Sequence, residues 1–185
     1  GSAARPSCIW NLWPWFWPRK SGFPVKMVMT REEVFRATGP TSGSWDTVKI
    51  GATRDGQITA ATATFRFQAG AFPGSPVRPA ASCAFAPYDI ENVRAVGIDV
   101  VMNRPKSNAY RAPGSPMGAF AVESLLDEMC RELDVDPLDM RLKNAVREGD
   151  TASYGPKYGS IGLVETLEAT KAHPNLSIPL GPNQG

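Results

Sequence analysis

A single arginine stands in a loop of small residues and prolines, directly before an amphipathic stretch. The loop covers residues 107–114 and contains Arg111, and Pro116 follows where a first helical turn would begin. The N–H groups at a helix start lack intrahelical partners, and a guanidinium offers a fork of donors. Together they could bind one anionic ligand. An ordinary surface loop before a packed helix has the same pattern, so this signal alone is weak.

The loop is positioned by the stretch that follows it, which has the pattern of a long helix. Ser115 can serve as its N-cap, and Pro116 suits the first helical position because no N–H is needed there. Apolar residues then recur at helical spacing, with charged residues on the opposite side. We expect a core helix from about Pro116 to Leu133, with Cys130 as a buried thiol. The apolar positions are Val122, Leu125, Leu126, Met129 and Leu133.

The residues before this helix predict strands and turns. Asp55-Gly56 predicts the tip of a hairpin between two alternating stretches. Residues 70–87 are rich in Gly, Pro, Ala and Ser, which predicts a long loop. Alternation of apolar and polar residues predicts the strands. The alternating positions are Val25, Met27 and Met29; Val48, Ile50 and Ala52; Ile58, Ala60 and Thr62; and Val96, Ile98, Val100 and Met102.

Shorter helices are predicted from their caps. Thr30 can cap a helix over residues 31–36, and Asp136 can cap one that reaches about Val146. Ser160 can cap a third, which has apolar residues on one face. Strands that come first and helices that come later favour an α+β fold. We therefore expect a mixed or antiparallel sheet from the N-terminal half, with about three helices packed on it.

Length and composition narrow the function. A chain of 185 residues that is 42% hydrophobic can fold as one domain or as two small ones that share a core. The net charge of +2 gives no basic field, so nucleic acid is not an expected partner. Cys8, Cys83 and Cys130 are widely separated, and His173 is the single histidine. We expect neither a metal site nor a Ser/His/Asp triad.

The N-terminal segment is unusual because four of the five tryptophans fall within residues 9–17. It is too short and too interrupted by proline to span a bilayer, and it lacks the pattern of a signal peptide. We expect no membrane span and a cytoplasmic protein. The segment would pack as a strand or loop on its own domain or a sister subunit, with interfacial membrane contact as the alternative. The expected divisions are an atypical segment at 1–17, a body at 18–172 and a loose tail at 173–185.

Several ordered blocks of sequence together resemble one family. Asn108-Ala-Tyr-Arg-Ala-Pro-Gly-Ser-Pro116 is the most specific block, and the blocks together cover about residues 18–172. They resemble the large, molybdopterin-binding subunit of the molybdenum hydroxylases, which include xanthine dehydrogenase, aldehyde oxidase and carbon monoxide dehydrogenase. The other blocks are residues 20–33, 49–58, 120–128, 136–144 and 148–150.

This resemblance implies a cofactor and a set of binding residues. The family hydroxylates carbon at a molybdenum held by a pterin, while the protein supplies binding, orientation and electrostatics. Arg111 matches the arginine that reaches the cofactor, and Ala112, Pro113 and Gly114 match the loop beside the metal. Carbon monoxide dehydrogenases have a cysteine at the position of Ala112, and xanthine oxidases have an aromatic residue at that of Pro113. Carbon monoxide and purines are therefore not the expected substrates.

Other parts of the family pattern are missing from the sequence. The family's catalytic base is a glutamate in a glycine-rich segment, and no such segment follows Ser160. The Gly-Gly-Phe-Gly loop and a later Gln-containing loop are also absent. Glu32, Glu33 and Glu123 are interpreted as helix-surface carboxylates. We therefore expect a detached piece of the large subunit, with no catalytic residue, no metal ligand and no cofactor in the isolated chain; whether it is an enzyme stays open.

Three functional interpretations remain. The first is a fold fragment without turnover. The second is a subunit that completes an active site with other chains, joined through exposed apolar surface as a homo-oligomer or with a partner. The third is a module for a small molecule or anion, which uses Arg111, the helix start at 115–118, and the loop at 70–79 with Arg78. An Arg111 side chain held in a salt bridge would count against the third.

Overall fold

The computed structural model describes residues 13–26 and 28–182. It has a three-stranded sheet in the order β1-β2-β3 and six α-helices within the described residues, instead of about three. The predicted α+β fold is confirmed. The elements are α1 (Trp13–Ser21), α2 (Arg31–Ala37), β1 (Ser44–Ala52), β2 (Ile58–Gly70), α3 (Val77–Cys83), β3 (Asn92–Val101), α4 (Ser115–Leu133), α5 (Pro137–Lys143), α6 (Leu163–Lys171) and a 3-10 helix at Pro174–Ser177.

The sheet is mixed. β1 and β2 form the predicted antiparallel hairpin. At the start of β3, the Asn92 amide reaches the Thr59 carbonyl near the start of β2, at 3.5 Å. Just beyond the end of β3, the Met102 N–H donates to the carbonyl of Gly70, which ends β2, at 3.0 Å. β3 therefore runs parallel to β2, and such a pair needs a crossover connection, which contains α3.

The described chain divides into two compact units. The first contains the residues up to Thr47, Thr64–Ala81 and Val96–Gly118, and the second contains Val48–Ala63, Ser82–Ala95 and the residues from Ala119. All three strands and α4 contribute residues to both units, so each unit is assembled from three separate pieces of the chain.

The core of the first unit is built on alternate residues of β2. Phe65, Phe67 and Ala69 are fully buried, while Arg66 between the two phenylalanines is exposed. The two phenylalanine rings meet edge to face with their centroids 6.5 Å apart, which is a favourable aromatic geometry. Val77 of α3 adds to this core. Alternation on a strand thus gives one buried face and one solvated face.

The core of the second unit is built on α4. Val122, Leu126 and Cys130 follow one another at a spacing of four, and none is more than 1% exposed. This confirms the predicted core helix and the buried thiol, and burial raises the pKa of the Cys130 thiol. The predicted cap is wrong by one position, because α4 already begins at Ser115.

Asn144 fixes the tip of the hairpin within the second unit. This residue is 1% exposed and follows the last turn of α5. Its amide nitrogen donates to the carbonyls of Gly56 and Met140, both at 2.8 Å. Its side-chain oxygen accepts from the Ile58 N–H at 2.8 Å and from the Gln57 amide at 3.1 Å. A buried polar group with all its partners present fixes one geometry.

The N-terminal expectations are partly wrong. Trp13–Ser21 forms a helix and not a strand or loop, while residues 9–12 lie outside the described residues. No strand forms over residues 23–26 or 28–30, and Met27 is not described. Alternation predicts an extended segment, but a strand also needs a neighbouring edge to pair with. Among the described residues, every helix is too short or too polar to span a bilayer.

The cap of α2 is confirmed. The Thr30 hydroxyl accepts from the Glu33 N–H at 3.2 Å, and the Glu33 carboxylate accepts from the Thr30 N–H at 2.7 Å. These reciprocal bonds satisfy two backbone donors at the start of the helix.

Two expectations for the middle of the chain are corrected. Ala60 and Thr62 are exposed, because the buried face of β2 changes register after Ile58 and continues at Ala61. The segment 70–87 is not one long loop, since α3 occupies its centre. The glycines and prolines of this segment predicted a loop, but alanines in its middle form part of a short helix.

The boundaries of the later helices also differ from expectation. α5 is capped by Asp136 as predicted, but it ends at Lys143 and not near Val146. Val146 instead donates its N–H to the Pro87 carbonyl at 3.1 Å. α6 has Gly162 as its N-cap without a side-chain hydrogen bond, so Ser160 does not cap it.

Truncation of the α4 core should be costly. We expect Leu126→Ala to lower the free energy of unfolding by about 2–5 kcal/mol, because Leu126 is fully buried. Glu128→Ala on the exposed side of α4 is the matched control and should change it by less than about 0.5 kcal/mol. Urea denaturation of both variants measures the difference. Similar losses in the two variants would contradict a core role for this face.

The hairpin tip carries a second, pH-dependent link to α5. Lys143 donates to the Asp55 carboxylate at 2.6 Å, and the Thr53 hydroxyl donates to it at 2.5 Å. These hydrogen bonds, first that of Lys143, lower the pKa of Asp55 to about 2. Asp55-Gly56 lies at the predicted turn, where Gly56 has a φ of +83°.

Acid should weaken this link. A carboxyl group with a lowered pKa in the folded state contributes stability that is present above its ordinary pKa of 3.8 and is lost as the pH falls towards 2. We therefore expect Lys143→Met to flatten the decrease in unfolding free energy between about pH 5 and pH 2. Arg54→Met at the same turn is the control and should keep the wild-type slope. Equal slopes for all three proteins would contradict the assignment.

Candidate functional site

The loop with Arg111 connects β3 to α4, and its base is anchored by backbone hydrogen bonds. The Ser107 N–H donates to the Ala69 carbonyl at the end of β2, at 2.9 Å. The Asn108 N–H donates to the Pro40 carbonyl, also at 2.9 Å. The polypeptide that leads to Arg111 is therefore held on two sides before the turn begins.

The turn itself depends on two residues with left-handed backbone geometry. Ala112 has a φ of +56°, which is uncommon for a residue with a side chain. Gly114 has a φ of +83°, and a Cβ atom at this position would overlap the Pro76 carbonyl oxygen. Only glycine satisfies both conditions, so the start of α4 lies directly against the backbone before α3.

A second glycine extends this contact along the helix. A Cβ atom on Gly118 would lie 2.8 Å from the Ala80 carbonyl oxygen of α3. Gly114 and Gly118 are both buried. The absence of side chains at these two positions therefore serves the packing of α4 against α3, and this packing sets the position of the loop.

Arg111 and Ala112 are exposed, Pro113 is half-buried, and Gly114 is buried. Within the described part of the chain, the Arg111 guanidinium has neither an ion pair nor a hydrogen bond. The salt bridge that would count against anion binding is therefore absent from these residues. Arg78 is also exposed and lies on α3, which begins beside Gly114. The structure thus places both predicted arginines on segments that meet at Gly114.

The loop before α3 is less available than the sequence suggests. Its Gly74 and Ser75 N–H groups donate to the Asp99 carboxylate, at 2.6 and 2.9 Å. Desolvation of Asp99 opposes its ionisation, but contacts from Ser75, these N–H groups and the charge of Lys106 outweigh it and lower the pKa of Asp99. The chain's own carboxylate therefore occupies the donors that an external anion would need.

Glu123 is not a simple surface carboxylate, which corrects the sequence interpretation. It is half-buried within the second unit, where it accepts from the Tyr88 hydroxyl at 2.6 Å. Arg141 donates to its other oxygen through two nitrogens, at 3.0 and 2.7 Å, and also to Asp127 at 2.8 Å. Burial, followed by the contact with Glu123, raises the pKa of Tyr88. Both carboxylate oxygens of Glu123 are thus occupied.

The other two carboxylates considered from the sequence are also engaged. Glu32 pairs with Arg36 at 2.7 Å on the surface of α2, and Glu33 closes the capping box. All three glutamates therefore have partners inside the protein. The network around Glu123 was missed because its members come from distant parts of the sequence; the only local signal was the spacing of Glu123 and Asp127 on one side of a helix.

The chemical nature of the Arg111 loop fits an anionic group. A guanidinium without an internal partner can donate two parallel hydrogen bonds to a phosphate or an oxo oxygen. The Ala112 backbone has a φ of +56°, which is strained for a residue with a side chain.

The comparisons identify the family. Residues 14–145 match the family model described as the molybdopterin cofactor-binding domain. Because this match covers well over half of the chain, the chain belongs to that family. The resemblance to the large subunits of molybdenum hydroxylases is thereby confirmed.

Individual relatives support the same assignment. The chain is 33% identical over 153 residues to the nicotinate dehydrogenase large molybdopterin subunit of Eubacterium barkeri, with 80% of this chain and 36% of that protein covered. It is 33% identical over 151 residues to the aldehyde oxidoreductase of Megalodesulfovibrio gigas, with 80% and 17% covered. The crystal structure of the aldehyde oxidoreductase from Desulfovibrio desulfuricans matches with a TM-score of 0.75 and 30% identity, over 83% of this chain and 17% of that one. The chain therefore spans well under half the length of these relatives.

The geometry at Gly114 gives a direct test of how the loop is held. We expect Gly114→Ala to destabilise the protein at least about 1 kcal/mol more than Gly149→Ala, because overpacking adds to the backbone strain. Gly149 is a matched control, since its φ is +89° and a Cβ atom there would meet nothing within 4 Å. Thermal and urea denaturation of both variants measure the effect. Equal destabilisation would show that the contact with Pro76 is not tight.

Proposed function

We propose that this chain contributes the Arg111 loop to a molybdopterin site of a molybdenum hydroxylase and does not catalyse the reaction by itself. One observation carries the proposal: Arg111 is exposed and unpaired within the described residues, on a loop that is fixed by packing at Gly114. A charged side chain presented from a rigid support suits a ligand better than a flexible surface position does.

The roles of the four predicted residues follow from their positions. Arg111 would donate to an anionic oxygen of the cofactor, while Ala112 and Pro113 would border the substrate. Gly114 would act through the backbone by fixing the direction of the loop. The bound cofactor would supply the oxidation chemistry, and the protein residues would supply orientation and charge complementarity.

Two features support the view that the chain does not turn over alone. A cofactor of this size normally gathers hydrogen bonds from several loops, and this chain offers one candidate loop. Glu32, Glu33 and Glu123 are held by internal partners, so none of them is a free general base. An active site that has only one of its walls lacks the preorganisation on which catalysis depends. We propose that a partner subunit, or a further chain of the same kind, supplies the remaining loops of the cofactor site.

The test is elemental analysis and dye-reduction kinetics of the chain, purified after expression with added molybdate. We expect well under one molybdenum per chain and no dye reduction with aldehydes, purines or carbon monoxide. Arg111→Ala should leave the unfolding free energy unchanged within about 0.5 kcal/mol, because the side chain is exposed. Stoichiometric molybdenum with turnover would overturn the proposed lack of activity. Loss of both in Arg111→Ala would then assign the cofactor contact to Arg111.

Anion binding without a redox cofactor is a second candidate, favoured by the placement of Arg78 and Arg111 on adjoining segments. Calorimetric titration with inorganic phosphate distinguishes the two candidate functions. Saturable binding that is lost in Arg78→Gln and in Arg111→Gln would favour the simple anion site.

A further inference from the structure

The segment from α1 to the start of α2 combines exposed apolar side chains with positive charge. Phe16 is 66% exposed, and Phe23 and Val28 are each 75% exposed. Trp17 and Val25 are also exposed, although less so. Several exposed large apolar side chains in one short segment are characteristic of an interaction site.

The charge of this segment is one-sided. Among residues 1–30 there are four basic side chains and no acidic one. The whole chain has 20 basic and 18 acidic residues, so the remaining 155 residues carry 16 basic and 18 acidic ones. The positive charge of the protein is thus concentrated in the part that also holds four of the five tryptophans.

The described structure places charge and aromatic surface side by side. Arg19 and Lys20 occupy the last turn of α1, and the Lys20 ammonium lies 6.0 Å from the centre of the Trp17 ring. Lys26 lies between the exposed Phe23 and Val28. Tryptophan and phenylalanine favour the interface between headgroups and acyl chains, and adjacent lysine and arginine are attracted to anionic lipids.

We propose that residues 16–26 and 28–30 form a docking surface for an anionic membrane. Charge complementarity selects this occupant, because two copies of the segment would repel each other while an anionic lipid surface would attract it. The helix would lie in the plane of the interface, since no helix of the described residues can span a bilayer. Phe16, Trp17 and Phe23 would enter the headgroup region, with Arg19, Lys20 and Lys26 at the lipid phosphates.

The experiment is vesicle flotation of the full chain, combined with its tryptophan emission. Vesicles contain phosphatidylcholine alone or phosphatidylcholine with phosphatidylglycerol. We expect binding and a blue-shifted emission with the anionic vesicles, weakened by salt. The pair Arg19→Gln and Lys20→Gln should bind about thirtyfold more weakly, at about 1 kcal/mol for each charge.

Matched controls separate a surface effect from general damage. Lys49→Gln with Arg54→Gln removes two exposed charges elsewhere and should retain binding. Phe23→Ser should weaken binding, while Trp45→Ser, at a residue that is 74% exposed outside the segment, should not. No binding, equal binding to neutral vesicles, or full binding by the Arg19 and Lys20 variant would each overturn the proposal. Self-association that depends on Phe23 and needs no lipid would assign this surface to a protein partner instead.

Discussion

The backbone contact between Gly114 and Pro76 is the constraint on which the candidate site depends. It allows the first turn of α4 to lie against the start of α3, and it requires a positive φ that few residues besides glycine adopt. The contact fixes the end of the preceding loop, on which Arg111 is exposed. A side chain larger than that of glycine at this position would overlap the Pro76 carbonyl oxygen and displace the loop that ends at Gly114.

The sequence correctly predicted those elements that depend on residues near one another in the chain. The caps at Thr30 and Asp136, the hairpin tip at Asp55-Gly56 and the apolar face of α4 were predicted correctly, because each depends on residues that are close together in the sequence. The strand predicted at residues 25–29 does not form over the described residues of that segment, since strand pairing depends on an available edge elsewhere in the fold. α3 was not predicted because its flanking glycines and prolines dominate the composition of the segment.

The site was predicted in part for the same reason. Arg111 stood out through its neighbours in the sequence, whereas the packing role of Gly114 depends on Pro76, which is 38 positions away. The Glu123 network joins Tyr88, Glu123 and Arg141 from three segments. No spacing rule relates them, so the sequence showed a helix-surface carboxylate where the fold has an ion pair with both oxygens occupied.

Asn144 has a further consequence, for the order in which the protein folds. Its amide completes the hairpin tip around Gly56 and Ile58, which lie 88 and 86 positions earlier in the chain. During synthesis, the hairpin leaves the ribosome long before α5 exists, so its tip stays unanchored for that interval. Contacts of such high sequence separation slow folding and prolong the exposure of unpaired strand edges. The native geometry of the hairpin tip therefore cannot form until Asn144 has been synthesised.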